Sequence, residues 1–192
     1  MNLSPIGWAL RPLKNYADFS GRASRAEFWW FFLFIMVSVF AMYMVLIVTM
    51  VGAAAGASGA PPSAGLLGAI GIVGIGMLLL WLAMFIPMLA VQVRRLHDTG
   101  RSGWWLGGYW LLYLVYLAML VGSIGTSLAG AAGGVAPPPD ASGPLFIATT
   151  ILGLVMFIYA IALLVFFCLP GTPGANRFGP DPYGSDVGEV FA

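Results

Sequence analysis

Four long apolar runs divide this chain: Phe28 to Val51, about Leu66 to Val93, Trp104 to Ile124 and Leu145 to Leu169. Each is continuously apolar, and each reaches the roughly 20 residues that a helix needs to cross a ~30 Å hydrocarbon core. Strands of a membrane barrel would alternate polar and apolar positions instead. In lipid every backbone N–H and C=O must be satisfied within the segment, so helices follow. The pattern predicts an all-α, polytopic membrane protein, a bundle of four transmembrane helices. The first run starts only after Glu27 and is too long for a cleavable leader, so it reads as an anchor that stays. Pro87 falls inside the second run and is a candidate kink.

The connections are of two kinds. Residues 52–65 and 125–144 are rich in Gly, Ala, Ser and Pro and hold one charged side chain between them, Asp140. Their low complexity predicts flexible loops. Residues 1–27, 94–103 and 170–192 carry the rest of the charge. The chain therefore divides into an N-terminal segment (1–27), a membrane domain (28–169) and a tail (170–192). Arg11, Lys14, Arg22, Arg25, Arg94, Arg95, Arg101 and Arg177 all lie in the second kind, and the low-complexity loops hold no lysine or arginine. By the positive-inside rule, both termini are expected in the cytoplasm. Tryptophan pairs at 29–30 and 104–105 stand where amphipathic rings favour the headgroup region. Residues 3–17 mix Leu3, Ile6, Trp8, Leu10 and Leu13 with Arg11 and Lys14, as an interfacial segment would, although Pro5 and Pro12 limit a helix there.

Composition sharpens this picture. Of 192 residues, 60% are hydrophobic and 8% charged, against about a quarter charged in soluble domains. A net charge of +1 provides no field to recruit nucleic acid, so no nucleic-acid partner is expected. One cysteine and one histidine exclude an intrachain disulfide and make a His/Cys zinc site a poor expectation. No phosphate-cradling loop of the Walker or dinucleotide type is present, and no cofactor is expected. The spans hold few polar groups and no acid or base at mid-depth, which weakens a coupled-transport reading.

Three polar motifs flank the spans: FSGRASRAEFWW (19–30), RRLHDTGRSGWW (94–105) and LPGTPGANRFGPDPYG (169–184). A bundle would gather them in one layer. In this order, with apolar segments between them, they resemble the bacterial inner-membrane proteins grouped as domain of unknown function 805, over about residues 14–184. The resemblance implies a small multi-span protein of the inner membrane. It implies no reaction and no catalytic residues.

Within the layer, Arg22, Arg25, Arg94, Arg95 and Arg101 offer planar forks suited to phosphate or carboxylate. They are candidate contacts for anionic lipid headgroups; the competing reading is that they only set topology. His97 and Asp98 are candidates to orient the central loop or to handle a proton, since a carboxylate-oriented imidazole serves general-base catalysis. Asp98 has equal claim to cap the turn or pair with Arg94, Arg95 or Arg101. Asn176 is a candidate to dock the tail. Glu27 is expected to pair with Arg25 or an arginine of the central loop. Asp98-Thr99-Gly100 is a turn signal in which glycine can take positive φ. Gly65, Gly68, Gly71 and Gly74 favour close helix approach, within the bundle or between copies. Gly-Arg leads through serine to a Trp pair in both 21–30 and 100–105, which fits a duplicated hairpin or the recurrence of Arg and Trp at interfaces.

The favoured functional expectation is a non-enzymatic adaptor or regulator whose arginine layer binds anionic lipid or a partner, another copy of the chain included. The alternatives are a small-solute or lipid transporter or scramblase, and an enzyme acting on a phospholipid-like substrate through His97 and Asp98.

Overall fold

The computed structural model describes residues 3–56, 64–132, 139–182 and 184. A short helix α1 (Pro5–Lys14) is followed by four long ones: α2 (Arg25–Gly56), α3 (Ala64–Asp98), α4 (Trp104–Ala132) and α5 (Pro139–Cys168). Each long helix contains a stretch apolar enough to span a membrane: Arg25–Gly52, Leu67–Asp98, Trp104–Gly125 and Gly143–Cys168. No strand forms among the described residues, apart from a single bridge between Asn176 and Gly179.

Helix boundaries move outward from the apolar runs. The parts of the 52–65 and 125–144 stretches nearest the spans are helical, while 57–63 and 133–138 lie outside the described residues. Alanine explains the extension, because it costs the helix no side-chain entropy and has the highest propensity. Helix α3 continues through Pro87 and includes Arg94, Arg95, His97 and Asp98. These four therefore sit on the last helical turns, and the connection to α4 is shorter than the expected 94–103 loop. The helix ends in a Schellman cap: Gly100 takes φ 75°, its N–H reaches His97 O at 3.0 Å, and Arg101 N–H reaches Leu96 O at 2.9 Å. Ser24 caps the start of α2, accepting from Glu27 N–H at 3.1 Å.

Helix α1 begins as its sequence dictates, with Ser4 at the N-cap and Pro5 in the first turn. Its buried Ala9 and Pro12 face inward against α2 and α3, while Ile6 and Leu10 stay exposed. An apolar outer face beside Lys14 suits the membrane interface.

Among the four long helices, contacts run mainly within two hairpins, α2 with α3 and α4 with α5, and the hairpins meet at one end. The buried hydrophobic cluster marks that end. It takes Phe28 and Phe31 from the start of α2, Val91 and Leu96 from the end of α3, Leu106 from the start of α4, and Leu163 and Phe167 from the end of α5. Farther along, large apolar side chains such as Phe40, Val48 and Ile72 are exposed. Lipid replaces a core there, since hydrocarbon solvates these side chains as well as a protein interior does. A Cβ at Gly65, Gly68, Gly71 or Gly74 would meet nothing within 4 Å, so these glycines do not serve packing between the described helices.

Gly21 (φ 74°) and Gly100 (φ 75°) each stand four residues before a long helix, at Arg25 and Trp104. The sequence echo between the two hairpins extends to the backbone.

Candidate functional site

All three polar motifs lie at the end where the hairpins meet, and their centre is Asp98. Its carboxylate is fully buried. Arg22 approaches one oxygen with Nε and Nη2, at 2.9 and 2.8 Å, and Arg95 holds the other through Nη1. Arg22 comes from the segment before α2 and Arg95 from α3, one turn before Asp98. Two guanidiniums against one carboxylate leave a positive charge, and Asp181 of the tail lies 4.0 Å from Arg22 Nη2 to offset it. Such burial is tolerable only where each charge is paired and its remaining donors are used.

Backbone carbonyls use those donors. The last carbonyls of a helix have no partner inside it. Arg95 donates from Nε to Phe167 O at 3.1 Å and from Nη2 to Leu169 O, closing the end of α5. A cation there also opposes the negative end of the helix dipole. Arg22 continues along the tail, donating to Thr172 O at 2.6 Å and to Gly174 O. The tail reciprocates on α3: Thr172 N–H reaches Asp98 O at 2.8 Å, and Asn176 Nδ2 donates to His97 O at 2.9 Å. A Cβ on Gly171 would collide with the Asp98 carboxylate, so glycine is required where the tail crosses it.

A second buried pair lies alongside. Arg94 Nη2 is 2.8 Å from Glu27 Oε1, close enough for strong Coulomb attraction but off the direction of a hydrogen bond. Arg11 of α1 reaches the other Glu27 oxygen at 3.6 Å. Glu27 thus joins α1, α2 and α3.

His97 is separate from the carboxylates. Its Nδ1 lies 3.1 Å from Gly21 O, and a carbonyl can only accept, so Nδ1 carries a proton. The ring stacks on Phe178 at 4.0 Å. Asp98 is a neighbour in sequence, but its carboxylate points to Arg22 and Arg95, so the two do not form an aspartate-oriented imidazole. Arg101 lies over the Phe166 ring at 3.9 Å, half-buried, and Arg25 is exposed. Of the five arginines singled out in the sequence, Arg22, Arg94 and Arg95 are buried in ion pairs, while Arg25 and Arg101 stand at the rim.

Sequence reasoning passed over Ser24, Gly171, Thr172 and Arg177. Ser24 had a signal, the Ser-x-x-Glu spacing to Glu27 that marks helix starts. Arg177 donates to Gly100 O at 3.2 Å and covers the Phe178 ring; nothing in its local sequence pointed there. At the rim, Ser20 donates its hydroxyl and N–H to Asp18, which holds that carboxyl below the usual carboxylate range.

Except for Arg11 and Asp181, the residues that build this layer fall within a match to a known family. The family model described as "Protein of unknown function (DUF805)" matches residues 16–180. The chain belongs to the DUF805 family. Among curated relatives, inner membrane protein YhaI of Escherichia coli is 33% identical over 180 residues, covering 93% of this chain and 98% of that protein. Inner membrane protein YhaH of the same organism is 33% identical over 177 residues, covering 92% and 97%. No solved structure matches. With four spans of its own, this DUF805 member is a multi-pass inner-membrane protein.

Proposed function

We propose that the chain is a non-enzymatic membrane adaptor whose charged face lies in the cytoplasm and binds anionic phospholipid headgroups. The observation that carries the reading is how charge is sorted between interior and rim. The carboxylates of Glu27 and Asp98 are consumed inside, by arginines that are themselves buried. Lys14, Arg25 and Arg177 are exposed and Arg101 is half-exposed. Among the described residues, the remaining acids of this end are Asp18, bound by Ser20, and Asp181, near Arg22. A cationic rim thus surrounds a neutralised interior. Each basic residue close to an anionic leaflet contributes about 1 kcal/mol of attraction. The inner arginines Arg22, Arg94 and Arg95 hold the plate, with Asn176 and the His97 backbone securing the tail, so the rim keeps a fixed shape.

The test is native mass spectrometry of protein released from nanodiscs with equal amounts of phosphatidylglycerol and phosphatidylcholine. Phosphatidylglycerol should be enriched among retained lipids, and Lys14→Gln, Arg25→Gln, Arg101→Gln and Arg177→Gln together should erase the enrichment. Equal retention of both lipids by the unaltered protein would refute the proposal.

A further inference from the structure

An apolar groove opens between α3 and α4 at the charged end. Leu89, Val93 and His97 form one wall at successive turns of α3, Gly107 and Trp110 stand opposite on α4, and Phe178 of the tail closes the end. The cavity measures about 680 Å³, within the range of small-molecule sites. Ser102, the His97 ring and the indole N–H groups of Trp104 and Trp110 are the polar side-chain groups of residues that otherwise give a hydrocarbon and aromatic lining. Beside the lining, at its Phe178 end, the Arg177 guanidinium lies 4.6 Å over the Phe178 ring, exposed, with one donor on Gly100 O.

A cation above an uncharged slot is the complement of a single lipid. The slot lies beside Trp104, 84% exposed, at the depth that amphipathic rings mark as the headgroup boundary. Farther along the spans, the exposed side chains are those that lipid solvates. An acyl chain laid along these walls would gain dispersion contacts with their apolar and aromatic side chains. A water cluster would find too few polar partners on these walls. We propose that this groove holds one acyl chain of an anionic glycerophospholipid, with its phosphate at Arg177. The inference rests on the anionic-lipid reading above and adds to it a place, a chain and a headgroup contact.

Gly107 is the position at which to test it. A side chain there enters the groove, and its Cβ would press only on the Trp104 ring, at 3.3 Å. Leucine also raises helix propensity, so Gly107→Leu should fold. Gly122→Leu, on the same helix with nothing within 4 Å, is the control. The protein is reconstituted with phosphatidylglycerol carrying a diazirine on one acyl chain, or with the matching phosphatidylcholine. Adducts are mapped after proteolysis.

The expected result is phosphatidylglycerol labelling at Leu89, Val93 and Leu106, lost in Gly107→Leu and kept in Gly122→Leu. Arg177→Gln should remove the preference over phosphatidylcholine while chain labelling persists. Adducts spread evenly around the spans or unchanged labelling in Gly107→Leu would each overturn the inference. If the groove is unlabelled while nanodiscs still enrich phosphatidylglycerol, this site fails and the rim reading stands. If the enrichment is also absent, both fail.

Discussion

Replacing Asp98 with asparagine would leave Arg22 and Arg95 buried beside each other with no carboxylate between them. Removing one partner of a buried ionic group typically costs about 3–5 kcal/mol. Asp98→Asn should therefore lower the thermal midpoint in detergent sharply. Adding Arg22→Gln should cost less than the two single changes summed, because the second removes the charge that the first stranded. A strictly additive double variant would show that the two do not interact. Gly171→Ala should also destabilise, by about 1–3 kcal/mol, since its new methyl would enter the space of the same carboxylate. The Arg22–Asp98 pairing was not legible in the sequence. The residues are 76 positions apart, and Arg94, Arg95 and Arg101 were the obvious partners by proximity. Nor could side-chain lists disclose that Arg95 would be drawn to the bare carbonyls ending α5. Such acceptors belong to the backbone and become available only where a helix stops.

At the scale of elements, local chemistry and apolar length told most of the story. Four runs long enough to span became four helices, because lipid leaves the backbone no other way to satisfy itself. The Asp98-Thr99-Gly100 turn also carried its own signal and closes α3 through a positive-φ glycine. Gly100→Ala should cost about 1 kcal/mol, since a Cβ is strained in that conformation. Ser24→Ala should cost a similar amount by uncapping α2. Hydrogen exchange at the Glu27 amide should rise in Ser24→Ala and remain unchanged in Gly100→Ala; protection in both would argue that the cap contributes nothing. Boundaries were less legible than the elements themselves. Alanine-rich ends such as residues 52–56 read as low-complexity linker, yet extend the helix because no side chain opposes it. The last turns of α3 read as loop because charge ordinarily marks the exit from the membrane, whereas Arg94, Arg95 and Asp98 are buried by pairing. Gly65 to Gly74 show the opposite limit: small-residue spacing marks where close approach is allowed, and here no described helix uses it.

For the whole molecule, the hairpins are joined chiefly through the charged end, where aromatic side chains and ion pairs pack in one layer. Beyond it the two hairpins depend on lipid for contact. Stability should therefore be concentrated at that end, and exchange or proteolysis should open the far ends of α2 and α4 before the Phe28–Phe167 region. The rim chemistry gains its meaning from orientation, since anionic-leaflet attraction applies to a face in the cytoplasm. With Cys168 replaced by serine, a single cysteine can be placed at the exposed positions Ala17 or Ala175 and treated with a membrane-impermeant maleimide. The account predicts no labelling in intact spheroplasts and full labelling once the membrane is opened. Labelling of either position from outside intact spheroplasts would contradict it.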